Sequence, residues 1–377
     1  MNLIKFDCKK INFIRHNQIH FSPKITLIRQ IIRVFCFKID FKFKDNNSNI
    51  LMVTSWLRPD IENEYNFLKY KIYKTFKKKP SELKIFNKYK FNLNLEIFKT
   101  ISFQKIFKII SFKKDVVKKL LDYFTILEST NFINRLILSN RNFYKIKSSI
   151  TAMEMQYYEN ILAQYLNTKN KNTLTLNHAF YRFEGFSIKP NKVGPINYMA
   201  AVTKYSLVWG DAQKNFVEKY TKQIPIILGS SLRKIDRSKK KKLRNNDDVL
   251  ILLESEKKLY QNYKMINELK SYNKVFIIKH PDDQNNYNDT FDITHKSKNL
   301  PLKVFGCDTS ALIRYGISKF NIFLHKNSFF LNENIKYFKK SEYSDFYTLK
   351  KKYKFNFWTM YTTYSTNLPK KFINLIK

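Results

Sequence analysis

The sequence predicts an α/β protein of two domains, each built on a mainly parallel sheet. Length is the first reason: 377 residues exceed what one core covers, since single hydrophobic cores stop growing at about 250–300 residues. Rhythm is the second. From about residue 142 short apolar runs alternate with longer amphipathic stretches, the strand–helix–strand order that closes through parallel crossovers. The third is the character of the later runs: VLILLES (249–255) and KVFIIK (274–279) are apolar almost throughout, as strands of a parallel sheet are. A content of 44% hydrophobic and 16% aromatic residues excludes a disordered chain.

Taken in order, VFCFKIDFKFK (34–44) reads as an alternating strand and the polar tract DNNSN (45–49) as its turn. ILMVTS (50–55) is the first core strand. In the helix predicted from Ile61 to Thr75, Ile61, Tyr65, Leu68 and Ile72 recur at helical spacing and form a core stripe. Between Lys77 and Lys147 the chain is studded with lysine, and Asp115 to Leu127 is its clearest helix. The lysine run at 77–79 is a solvated face. A strand from Tyr144 to Ile150, a helix from Glu154 to Leu166 and a strand from Thr173 to Leu176 follow. The loop NHAFYRFEG (177–185) then places His178 and Glu184 at an exposed edge. SLVWGD (206–211), a helix from Ala212 to Tyr220 and the strand in IPIILGSS (224–231) complete a domain over 1–230. The tract RKIDRSKKKKLRNNDD (233–248) is an exposed loop or linker, and a second domain is expected over 245–377. Its elements are strands at 249–255, 274–279, 302–305 and 321–325, with helices from Glu256 to Tyr272 and Ala311 to Tyr315.

Charge is the most conspicuous bulk property, +40 from 70 basic and 30 acidic residues. It does not single out a nucleic-acid domain, because residues 1–150 hold 31 Lys+Arg and 11 Asp+Glu, half of the excess. Only 11 of the basic residues are Arg, the fork that base and phosphate recognition favours. A lysine-coated surface is nevertheless drawn to anionic lipid, so a cytosolic protein attached to the inner face of a membrane is expected. No apolar run reaches the ~18 residues of a membrane span, and the start MNLIKFDCKKINF lacks a secretory pattern. Cys8, Cys36 and Cys307 have neither disulfide-framework nor zinc-site spacing.

The candidate site lies between Lys274 and Gly316. His280-Pro281 closes the strand ending at Lys279, while Gly306 follows a second strand and Asp308, Thr309 and Ser310 precede a helix. Helix starts with hydroxyl side chains suit phosphate, and ligands of open α/β sheets bind at the carboxyl ends of strands. All six glycines fall between 185 and 316, at positions where other residues fit poorly.

The strand-terminal His280-Pro281, the Thr309-Ser310 pair and the loop from Asn177 to Gly185 resemble bacterial surface-polysaccharide transferases with two Rossmann-like domains facing across a cleft, the GT-B arrangement. Within it the lipooligosaccharide and capsular sialyltransferases and polysialyltransferases are nearest, then the CDP-glycerol glycerophosphotransferases. His178-Ala179 departs from the His-Gly of the latter, and Phe183-Glu184-Gly185 matches half of the acidic pair of the former. The resemblance covers about 143–325. It implies a glycosyltransferase acting on capsule or lipopolysaccharide, with an acceptor-side first domain and a nucleotide-donor second domain. Glu184 and His178 would be catalytic; Lys279, His280, Pro281, Gly306, Thr309 and Ser310 would bind the donor. The implied partners are a nucleotide sugar, with cytidine favoured, and a glycan or lipid-linked acceptor. No cofactor is implied, and the sequence has no Asp-x-Asp motif of the kind that bridges a metal to a diphosphate. A basic nucleic-acid-binding protein and an inactive relative that only binds a partner are the rival readings.

Overall fold

The computed structural model describes residues 3–12, 23–55, 59–93, 97, 101–111, 115–152, 156–176, 201–229, 247–272, 274–280, 283–294, 297, 300–309, 311–318, 320–332, 334–353, 357–358 and 367–377. Among these the strands form two seven-stranded sheets, each sandwiched by helices, so the chain is an α/β protein with two Rossmann-like units.

The first sheet contains β1 (Phe37–Lys44), β2 (Ile50–Thr54), β3 (Ser81–Phe91), β4 (Ser148–Thr151), β5 (Asn172–Leu176), β6 (Tyr205–Val208) and β7 (Ile224–Ile227). Their order is β1-β3-β2-β4-β5-β6-β7. β1 alone is antiparallel; every other pair in this sheet is parallel. The helices in this half of the chain include α1 (Pro23–Cys36), α2 (Pro59–Phe76), α3 (Phe103–Ser111), α4 (Val116–Leu138), α5 (Tyr157–Thr168) and α6 (Asp211–Tyr220).

Strand alternation explains why both faces need cover. Along β2, Leu51 and Val53 pack with Phe132 and Ile133 of α4 and Ile161 and Leu162 of α5. Ile50 and Met52 face the other way, against Tyr65, Leu68 and Ile72 of α2. A strand covered on both sides tends to a near-continuous apolar run, and all five β2 residues, four of them apolar, are buried. The second face is completed from far along the chain, by Phe372 and Ile376 of the last helix, α10 (Lys370–Ile376).

The second sheet comprises β8 (Asp248–Leu252), β9 (Lys274–Ile278), β10 (Phe291–Asp292), β11 (Lys303–Gly306), β12 (Asn321–His325), β13 (Phe338–Lys340) and β14 (Phe346–Leu349), ordered β10-β9-β8-β11-β12-β14-β13. β10 to β12 run parallel, and β14 and β13 close the edge antiparallel. Val249, Ile251 and Leu253 meet Met265, Ile266 and Leu269 of α7 (Leu259–Leu269). Leu250 and Leu252 meet Leu312 and Ile313 of α8 (Ala311–Ile317), beside Phe330 of α9 (Phe329–Asn332) and Trp358. Gly316 makes the last contact possible, since a Cβ there would lie 2.2 Å from the Trp358 ring.

Several elements differ from expectation. The strand expected over 34–44 begins only at Phe37, because Val34 and Phe35 end α1, where Leu27, Ile31 and Val34 pack on α4. The strand expected from Tyr144 starts at Ser148; residues 143–145 form a 3-10 turn that buries Phe143. Helix α4 runs on to Leu138, beyond the expected Leu127. The tract 233–246 lies outside the described residues.

Candidate functional site

Each sheet has a point where chain order reverses, and there the carboxyl ends of two neighbouring strands open a crevice. In the second sheet this point lies between β8 and β11, because the chain adds β9 and β10 on one side of β8 before returning to β11 on the other.

The residues that leave these strands are polar and buried. Glu254, just past β8, is fully buried, and its carboxylate accepts the Asp308 N–H at 2.7 Å. Asn262 of α7 grips the Glu254 backbone from both sides: its carbonyl oxygen accepts the Glu254 N–H at 2.8 Å, and its amide donates to the Glu254 carbonyl at 3.1 Å. The Asp308 carboxylate, with 1% of its side chain exposed, pairs with Lys258 at 3.1 Å. Asp283 is likewise buried and accepts the Tyr287 hydroxyl at 2.7 Å and the Asn285 N–H at 3.1 Å. Buried carboxylates persist only when hydrogen-bonded or paired, and these are. Burial first, and then the nearby Asp308 and Glu254, push the Cys307 thiol far above its ordinary value, so it stays protonated and unreactive at neutral pH.

Several of the residues expected from the sequence occupy this edge. His280 follows β9, half-buried, with its carbonyl accepting the Asp283 N–H at 2.9 Å. Thr309 caps the turn into α8, its hydroxyl oxygen accepting the Ala311 N–H at 3.4 Å. Lys279 is turned toward β10 and pairs with Asp292 at 2.7 Å. Gly306 is still within β11, and a Cβ there would lie 2.9 Å from a Leu312 methyl, so its smallness serves strand–helix packing. Pro281 and Ser310 lie outside the described residues. Glu254, Lys258 and Asp283 were not expected to form a site, and Asp308 was expected there only as a residue preceding the helix. Their signal was an acid directly after an all-apolar strand in one case and directly before a helix in another.

In the first sheet the reversal lies between β2 and β4. Glu159, in the first turn of α5, is fully buried there, and one of its oxygens accepts both the Ser55 N–H at 2.7 Å and the Ser55 hydroxyl at 2.6 Å. His178 and Glu184 lie outside the described residues. β5, which precedes them in the sequence, ends at Leu176, one strand along the same edge.

A third cluster lies beside the second sheet, where Glu268, His325 and Asp345 offer ligand-type atoms within 4.8 Å of one another. The His325 Nδ1 accepts the Asn327 N–H at 3.1 Å, which leaves the ring hydrogen on Nε2, 3.8 Å from Glu268. A nitrogen carrying a hydrogen has no lone pair for a metal. The cluster instead holds protons. Burial and a hydrogen bond with Asp345 raise the Glu268 carboxyl to about 7, and burial, with Lys264, lowers His325 to about 4. Lys326, at 2.8 Å, and the bond with Glu268 hold Asp345 well below the ordinary range.

No protein-family model matches the sequence, and no curated protein matches it. Among solved structures it is similar to UDP-GlcNAc 2-epimerase from Neisseria meningitidis bound to UDP-GlcNAc, with 9% identity and a TM-score of 0.39 over 76% of this chain and 85% of that one. It is also similar to the wall teichoic acid polymerase TagF soaked with CDPG, with 8% identity and a TM-score of 0.38 over 88% of this chain and 82% of that one. Similarity this remote carries no argument about chemistry.

Proposed function

We propose that the protein is a glycosyltransferase that moves a sugar from a nucleotide-activated donor to a surface glycan or lipid-linked glycan while attached to an anionic membrane. One observation carries this reading: the carboxyl edge of the second sheet, at its reversal, gathers His280, Lys258, Asp308 and Thr309. Such an edge offers donors to phosphate oxygens and acceptors to sugar hydroxyls. His280 and the hydroxyls of Thr309 and Ser310 steady the departing nucleotide phosphate, and Lys279, Pro281 and Gly306 shape its surroundings. Glu184 takes the proton of the acceptor hydroxyl as its oxygen attacks the anomeric carbon. The bond from that carbon to the donor phosphate breaks, and the phosphate leaves with the electron pair. His178 positions the acceptor.

Stabilisation against heat by a panel of nucleotide sugars tests the proposal, because a ligand bound only by the native state raises its stability. Cytidine-activated sugars should raise the unfolding midpoint most. Response only to a cytidine-activated polyol would indicate a glycerophosphotransferase. No response to any nucleotide, together with nucleic-acid binding that falls steeply with salt, would overturn the reading. Glu184→Gln should abolish turnover in a transfer assay and keep the stabilising response to the donor, whereas an active Glu184→Gln beside an inactive His178→Ala would move the base role to His178.

A further inference from the structure

Helices α1 and α3 pack their inner stripes into one cluster against α4: Leu27, Ile31 and Val34 from the first, Ile106 and Ile109 from the second. Each leaves a second apolar stripe uncovered. On α1 this is Ile25, Ile28 and Ile32, and on α3 it is Phe103, Phe107 and Ile110, with Phe107 70% exposed and Ile28 57%. The spacings, three and four residues on α1 and four and three on α3, align each set along one face of its helix. No residue of α3 is buried, although five of its nine are apolar. Such a surface is costly in water unless something covers it.

Its charge limits what that can be. Lys24, Arg29, Lys105 and Lys108 flank the stripes and are exposed, and neither helix has an acidic residue. A second copy docked on the same face would oppose like charges in a chain of net charge +40. Nucleic acid offers no partner for aliphatic side chains at the centre of the face. A bilayer with anionic headgroups satisfies both parts at once: the apolar stripe enters the headgroup–acyl boundary while the lysines remain among the phosphates. We infer that α1 and α3 form an interfacial membrane-binding face, seated on anionic lipid through Ile28, Phe103 and Phe107. This gives the membrane attachment proposed above a location, and it rests on that part of the reading. Its test is independent of catalysis.

The full chain is mixed with phosphatidylcholine vesicles and with vesicles of three parts phosphatidylcholine to one part phosphatidylglycerol, and the bound fraction is measured by sedimentation at low and high salt. Binding is expected only to the anionic vesicles and should weaken with salt. Phe103→Ser with Phe107→Ser, and separately Lys105→Glu with Lys108→Glu, should each lower vesicle affinity tenfold or more. Tyr144→Ser, which alters another exposed aromatic, should not. Circular dichroism and unchanged stabilisation by nucleotide sugars would show that the variants remain folded. Three results would overturn the inference: no binding to the anionic vesicles, unchanged binding by both double variants, or conversion of a dimer to a monomer by the Phe variant without any lipid binding.

Discussion

The two sheets reverse chain order in the same way but place different chemistry at the reversal. In the first, the Glu159 carboxylate accepts the N–H and the hydroxyl of Ser55. In the second, Glu254 and Asp308 are held by backbone, by Asn262 and by the Lys258 ammonium, with His280 on the adjoining strand. Topology therefore sets where a ligand can sit, and the residues after the strands decide which ligand. An ion pair beside a histidine presents donors and acceptors together, as a phosphorylated sugar requires.

The contrast is sharpened most by His280→Ala. If the second reversal is the donor site, turnover should fall roughly a hundred- to a thousandfold, on the order of what removing one transition-state donor costs, with the unfolding midpoint unchanged. Turnover within a factor of about two would remove the functional difference between the two edges. Next in size is the comparison of Lys258→Met with Ser55→Ala. The lysine variant takes the ammonium away from a buried Asp308 carboxylate and should cost about 3 kcal/mol in denaturant unfolding, whereas the serine variant deprives Glu159 of one hydroxyl donor, about 1–3 kcal/mol. Equal losses would mean that the charge at the second reversal does no more than the hydroxyl at the first.

A further effect lies away from both edges, at Glu268. Its folded carboxyl is raised to about 7, so the folded state holds its proton where the unfolded chain has lost it, and stability contributed by this group falls as pH rises from its ordinary value toward 7. His325 works the other way, because its lowered value makes the unfolded chain take the extra proton between about 4 and 6.5. The charged groups around them are Lys264, Lys326 and Asp345. Glu268→Gln keeps the shape of the protonated acid, so its unfolding midpoint relative to the unaltered protein should be higher at pH 8 than at pH 5. A difference independent of pH would show that Glu268 ionises normally.

What the sequence made legible follows from burial. β2, β8, β9 and β12 could be read because each has an unbroken apolar run at its centre, and residues such as Ile251 and Phe276 stand between apolar neighbours. β3 was hidden because Lys84, Lys88 and Lys90 interrupt it and it lies next to the sheet edge. α3 was hidden because a short lysine-bearing helix without a buried residue resembles a solvated stretch. At the candidate site His280 and Thr309 stood out as punctuation after a strand and before a helix. Glu254 looked like the tail of a strand and Asp283 like part of a turn, because only the fold brings Asn262 and Tyr287 to meet them.

Helix α10 has a consequence in the order of synthesis. Phe372 and Ile376 fill the face of the first sheet beneath Ile50 and Met52, and Asn49 and Asn172 bond the backbone of Lys377 and Leu375. These closing residues are made only after the entire second sheet. At about 5–20 residues per second, the first unit therefore waits on the order of ten seconds on the ribosome with one apolar face open. Throughout that interval it is a client for whatever shields nascent chains, and its own completion is timed by the unit that follows it.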